Sequence, residues 1–198
     1  MIKEYSALQV TQLKVGSTFV RPVQILPERV KLSNPATGVM TDLSKVSLVS
    51  VRAKTPMDKA NAKMIRYGVR MLLVLDDSEQ LVGLLTATDM LGEKPMRFLQ
   101  NMGGTYADIM VRDIMTTQRE LEVLKMEDVQ NAKVGHIVAG LKKSGRQHAL
   151  VAVEGVDGKQ SVCGMFSITQ IARQLGAQIQ SFELARTFAE IEAVIARD

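Results

Sequence analysis

The chain has 198 residues, 46% hydrophobic and 23% charged, enough to bury a core in one large domain or two small ones. Its net charge of +4 is spread without a basic tail or a block of like charges, and aromatics make up only 4% with no Trp, which argues against nucleic-acid binding. A single cysteine, Cys163, excludes an internal disulfide and a thiolate zinc site, and two histidines argue against a metal cluster.

The first 38 residues, with Pro22, Pro27 and Pro35, read as an extended arm. Leu48 to Val51 reads as a short strand. Thr55 and Pro56 then open a helix as N-cap and first helical residue, with Asp58 three after the cap. Met57, Ala60, Met64 and Tyr67 fall on one face of it, and Gly68 ends it. MLLVL from Met71 and LVGLL from Leu81 are continuous apolar runs either side of a polar turn, as strands buried on both faces would be. A short helix follows from Thr88 to Gly92. Val134, Ile137, Val138 and Leu141 then mark a second long helix stopped by Gly145. ALVAV and SVCGMF are two more strands, and Thr169 to Leu175 is a closing helix. Leu184, Phe188, Ile191 and Ile195 finish the chain as an amphipathic stripe, which either covers the core or pairs with a partner chain.

These elements repeat. Val39-Met40-Thr41, GVRMLLVLDD and GLLTATDM are echoed by Ile114-Met115-Thr116, GRQHALVAVE and GMFSITQI. The offset grows from 75 to 77 to 81 residues, as small insertions would make it. The fold class is therefore α/β (α+β): two βαββα units at 39–105 and 106–176, an arm at 1–38 and a terminal helix at 177–198.

The octapeptide GLLTATDM reads as a strand running into a helix. Thr86 and Thr88 offer hydroxyls to a phosphate, and the Asp89 carboxylate can accept the paired hydroxyls of a ribose. The competing reading makes Thr86 or Thr88 an N-cap and lets Asp89 complement the helix dipole. Cys163 lies in an apolar run, where a thiol is structural rather than nucleophilic. Lys142, Lys143 and Arg146 form the densest basic cluster and read as a solvated helix end.

The duplicated unit, the Met-Thr openings at 40–41 and 115–116, the stretch VRDIMT and the Gly-x-x-Thr-x-x-Asp ending resemble a tandem pair of cystathionine-β-synthase (CBS) domains, the Bateman module. The resemblance covers residues 38 to 176. It implies two repeats packed about a pseudo-two-fold axis, sheets inward, with two clefts that take AMP, ADP, ATP or S-adenosylmethionine. By position it implies that Thr86 and Thr88 contact phosphate or ribose and that Asp89 holds the ribose. Arg70 would face phosphate, and Val49 and Val51 would meet the adenine edge. The second copy has Ser167 and Thr169 at the hydroxyl positions but Gln170 in place of the carboxylate, which forfeits a charge-assisted acceptor. His148 would face that second, weaker cleft, the competing reading being a structural histidine on a strand edge. The expectation is one competent cleft per chain, built chiefly on the first repeat's motif.

No catalytic set is legible: there is no Ser/His/Asp arrangement, no phosphate-binding lysine loop and no paired metal ligands. The N-terminus lacks the apolar stretch of a secretory signal, and the longest charge-free stretch, residues 160–172, is too short to cross a membrane. The expectation is a cytoplasmic, non-enzymatic, stand-alone regulatory protein, a homodimer that reports nucleotide occupancy to an unidentified protein partner. The alternatives are an interaction module with a vestigial cleft and, needing a basic face, a nucleic-acid binder.

Overall fold

A strand that is apolar at every position needs cover on both faces, and two such runs per repeat dictate a layered arrangement. In the computed structural model, which describes residues 12, 14, 15, 17, 23–177 and 184–196, the strands form two four-stranded sheets, each built mainly from one repeat. The first contains β2 (Ser50–Arg52), β3 (Met71–Leu75), β4 (Leu81–Thr86) and β5 (Thr116–Thr117), in that order. The second is ordered β1 (Thr41–Asp42), β8 (Gln160–Ser167), β7 (His148–Glu154), β6 (Val123–Lys125). The strand expected at Leu48 to Val51 is thus β2, which starts two residues later and ends one later.

Side-chain alternation shows how the layers stack. Leu72, Val74 and Leu85 face a core under the first repeat's helices, whereas Met71, Leu73 and Leu84 face the other way and meet Leu150 of β7. Val151, next along β7, turns back into the second repeat's core with Phe166 and Ile171. The two sheets therefore pack face to face through a shared apolar layer, each with its helices outside.

The helices of the first repeat are α1 (Met57–Tyr67), α2 (Ala87–Leu91), α3 (Glu93–Met102) and α4 (Val111–Ile114). Those of the second are α5 (Met126–Asn131), α6 (Val134–Ser144) and α7 (Ile168–Gln174), followed by α8 (Leu184–Ile195). Gly68 and Gly145 end α1 and α6 at φ +63 each, the left-handed cap that the sequence signals. The start of α1 corrects the sequence reading. Thr55 lies outside the helix and Pro56 is the N-cap, with no side-chain cap bond. The Met57 amide donates instead to the Ile109 carbonyl at 2.9 Å, and Val111 donates to Thr55. A tertiary carbonyl has replaced the local cap. Tyr67, expected on the buried face, is exposed.

The opening strands are exchanged. β1 pairs antiparallel with β8, Thr41 opposite Met165, and β5 pairs with β4, Thr116 opposite Leu84. Each Met-Thr opening thus completes the sheet of the other repeat. The fit is close at two glycines: a Cβ on Gly83 would stand 2.7 Å from both Met115 Sδ and the Thr116 carbonyl, and one on Gly164 would stand 2.7 Å from Met40 Sδ.

The terminal helix forms where its stripe predicts. Phe188 and Ile191 are buried in the second repeat's core, while Ile195 remains exposed. The Lys142–Glu192 ion pair ties α8 to α6. Of the N-terminal arm, residues 1–11 and most of 12–22 lie outside the described residues. Residues 23–39 run across the second repeat, where the buried Gln174 amide donates to the Pro27 carbonyl at 2.7 Å and the Gln174 carbonyl accepts from Val30. Among the described residues, no helix is long and apolar enough to cross a membrane.

Candidate ligand clefts

Two sheets packed face to face leave an opening at each end of the shared layer, and both openings draw residues from both repeats. The first cleft has a volume of about 690 Å³. One wall is the first repeat: the lead into β2 from Val46 to Val49, the end of α1, and Arg70. The opposite wall is the second repeat: Ser167, Thr169, Gln170 and Arg173 at the start of α7, with Thr41 of β1. The second cleft reverses the roles. Thr86, Thr88 and Asp89 at the start of α2, with Thr116 of β5, face Leu121, Glu122 and Gly145 to His148 across about 290 Å³. An adjoining chamber of about 460 Å³ lies between β6 and the helices α5 and α6, and shares Glu122, Arg146 and His148 with it.

This arrangement redistributes the residues singled out from the sequence. Thr86, Thr88 and Asp89 stand together, but Arg70 and Val49 stand in the other cleft, beside Ser167, Thr169 and Gln170. Val51 lines neither, being buried in the core beneath α1. His148, expected beside Ser167, Thr169 and Gln170, sits in the wall common to both clefts. The sequence motif therefore does not build one cleft from one repeat. Arginine and carboxylate, grouped in the sequence reading, are on opposite sides of the module. Arg173, Thr41 and Asn61 were missed in the first cleft, as were Glu122, Gln147 and Thr116 in the second. Arg173 was within reach, lying three residues, close to one helical turn, beyond Gln170.

The polar groups of the two clefts are engaged differently. Asp89 Oδ2 accepts from the Thr86 amide at 2.8 Å and the Thr86 hydroxyl at 2.7 Å, while Thr86 Oγ1 accepts from the Asp89 amide. That is a complete capping box on α2. Asp89 Oδ1 pairs with Lys94 Nζ at 2.6 Å, and Lys94 reaches on to the Thr116 hydroxyl at 3.3 Å. At the matching position Ser167 makes no side-chain capping bond to α7. The Ser167 and Thr169 side chains form no hydrogen bonds among the described residues, and Thr41 Oγ1 stands 3.5 Å from Gln170 Oε1.

The electrostatics differ as well. Among the described residues, Arg70 and Arg173 are the charged ones lining the first cleft, and none that lines it is acidic. Asp89 and Glu122 line the second, with Arg146 tied to Glu122 at 3.2 Å. Burial, reinforced by the Arg70 charge, pulls the His148 imidazole down from 6.5 to about 4. It is neutral at pH 7 and adds no charge to either cleft. Burial also lowers the Arg70 guanidinium from its ordinary value, though arginine remains cationic. Among the described residues, no group of three His, Cys, Asp or Glu is placed to hold a metal ion.

Comparison with known proteins agrees with this architecture. Residues 38–95 match the family model of the CBS domain. No curated protein matched the chain by sequence. Among solved structures, an uncharacterized conserved protein from Pyrococcus horikoshii is 23% identical with a TM-score of 0.53, over 77% of this chain and 99% of that one. A CBS-domain containing protein from Agrobacterium tumefaciens is 14% identical, TM-score 0.52, over 72% and 94%. CBSX2 from Arabidopsis thaliana, solved in complex with AMP, is 22% identical, TM-score 0.51, over 71% and 94%. Residues 38–95 thus match the CBS domain, and about three quarters of the chain shares the fold of these CBS-domain proteins.

Proposed function

We propose that this CBS pair is a regulatory module that binds an adenine nucleotide in the first cleft and passes its occupancy to a partner protein in the cytoplasm. The observation that carries this reading is the lining of that cleft: about 690 Å³ between the repeats, two arginines, no acidic side chain, and the hydroxyls of Ser167 and Thr169 free of other bonds among the described residues. The volume is that of an ordinary small-molecule site. A phosphate meets Arg70 and Arg173, and the base lies against the apolar lead from Val46 to Val49. The AMP bound to CBSX2 supports the ligand class. The task is binding rather than catalysis, since among the described residues no titratable pair lining the cleft is arranged for proton transfer.

Titration calorimetry with AMP, ADP, ATP and S-adenosylmethionine tests this reading. At least one phosphorylated ligand is expected to bind, and Arg70→Ala is expected to weaken it at least tenfold. No heat from any of them, in protein freed of co-purified nucleotide, would refute it. Ile65, Leu91, Met96 and Met102 are exposed on the first repeat's helices, which favours a second copy as a partner in a homodimer. Native mass spectrometry reads retained nucleotide and dimer mass in one measurement.

A further inference from the structure

We infer that residues 23–30 form a strap seated on the walls of the first cleft, which ligand entry releases, so that the strap carries occupancy out of the site. The inference rests on the nucleotide reading for its ligand and adds a route from that ligand to the surface.

The strap is tied to residues that flank the cleft. The Gln24 side chain lies along β1: its amide donates to the Met40 carbonyl and its oxygen accepts from the Asp42 amide, each at 2.8 Å. Thr41, between those two residues, lines the cleft. Further along the strap, the Gln174 amide donates to the Pro27 carbonyl at 2.7 Å, and Val30 donates to the Gln174 carbonyl at 2.9 Å. Gln174 lies about one turn along α7 from Gln170, which lines the same cleft. Beyond Val30 the chain is anchored elsewhere. The Leu32 and Asn34 carbonyls accept from Gly135 and Val134 at the start of α6, and Ala36 donates to Ala132. Val30 packs against the second repeat's core, but Val23 and Ile25 are exposed, so polar ties carry much of the strap's hold.

A line of amides joins cleft to strap. Thr41 Oγ1 stands 3.5 Å from Gln170 Oε1, and Gln170 Nε2 stands 3.5 Å from Gln174 Oε1. Both contacts lie at the long limit of hydrogen bonding, so a polar ligand that offers Gln170 a shorter one turns its amide into the cleft. Gln174 is buried, and its Oε1 has no other partner among the described residues. A buried oxygen that loses its partner costs free energy, so the Gln174 side chain rotates to satisfy it and lets go of Pro27. Ligand and seated strap thus compete for the same pair of glutamines, and each weakens the hold of the other.

Hydrogen–deuterium exchange and calorimetry, with AMP as the probe, test the coupling. Saturating AMP is expected to speed exchange of the Val30 amide about fivefold and to leave Ala36 unchanged. Gln24→Ala, outside the cleft, is expected to tighten AMP binding about fivefold, an effect that a merely structural tie would not produce. Gln170→Ala without any nucleotide is expected to speed Val30 exchange, because it removes the partner of Gln174 as a ligand does. Val30 exchange slowed or unchanged by bound AMP, AMP affinity unchanged or weakened in Gln24→Ala, or unchanged Val30 exchange in Gln170→Ala would each overturn the inference. No heat from AMP, with faster Val30 exchange in Gln170→Ala, counts against the nucleotide reading and supports the link between cleft and strap.

Discussion

The strand exchange between repeats makes a sharp prediction at Gly83 and Gly164. A methyl group at Gly83 would stand 2.7 Å from Met115 Sδ and 2.7 Å from the Thr116 carbonyl oxygen, where ordinary contact begins at 3.4 Å. The thioether can swing away, but the carbonyl belongs to β5 and is held in the sheet by the β4 pairing. At Gly164 the contacts are all to the Met40 side chain, at 2.7 to 3.2 Å, and a flexible side chain can yield. Overpacking of this kind costs about 1–3 kcal/mol. Replacing glycine by alanine regains about 0.4–1 kcal/mol by restricting the unfolded chain. Gly83→Ala is therefore expected to lose about 2 kcal/mol and Gly164→Ala about 1 kcal/mol or less, read as urea unfolding midpoints by circular dichroism. A double-mutant cycle separates the mechanisms. Met40→Ala should relieve Gly164→Ala by about 1 kcal/mol, whereas Met115→Ala should relieve Gly83→Ala by less, because the Thr116 carbonyl stays. A Gly83→Ala protein as stable as the wild type, or less perturbed than Gly164→Ala, would refute the strand exchange as a tight fit.

Two further outcomes test the packing and the buried charge balance. His148 has its folded-state value lowered from 6.5 to about 4, so the unfolded chain binds the extra proton first and stability falls as pH drops from 6.5 towards 4. The shift corresponds to about 3 kcal/mol. His148→Gln should remove that part of the acid sensitivity, and equal loss of stability in both proteins between pH 7.5 and 4.5 would contradict it. Ile191 is 1% exposed beneath α8. Ile191→Ala should cost about 2–4 kcal/mol in the same unfolding assay, whereas a loss under 0.5 kcal/mol would mean that α8 does not seal the core.

Much of the fold follows from local pattern. MLLVL is a strand because every position is apolar, and β3 covers those residues. α1 and α6 end where they do because glycine alone enters the left-handed region without strain. The duplication reports two units because the same spacing recurs. α3 and the opening strands β1, β5 and β6 escaped notice, since two- or three-residue strands carry no period and form only when a partner edge is present.

The 198 residues therefore determined by themselves the repeat, its strands, the ends of its long helices and the apolar stripe of α8. Those features depend on residue type and short spacing. Tertiary structure decided what is shared between distant parts of the chain. Met40 meets Gly164 and Met115 meets Gly83, Ile109 caps α1, and the α8 stripe covers its own core rather than being left wholly for a partner. It also decided which residues share a cleft. Arg70 and Asp89 lie 19 positions apart in one repeat, yet they face opposite openings. Packing the two sheets face to face joins one repeat's strand edge to the other's helix start, and no spacing within a repeat reveals that.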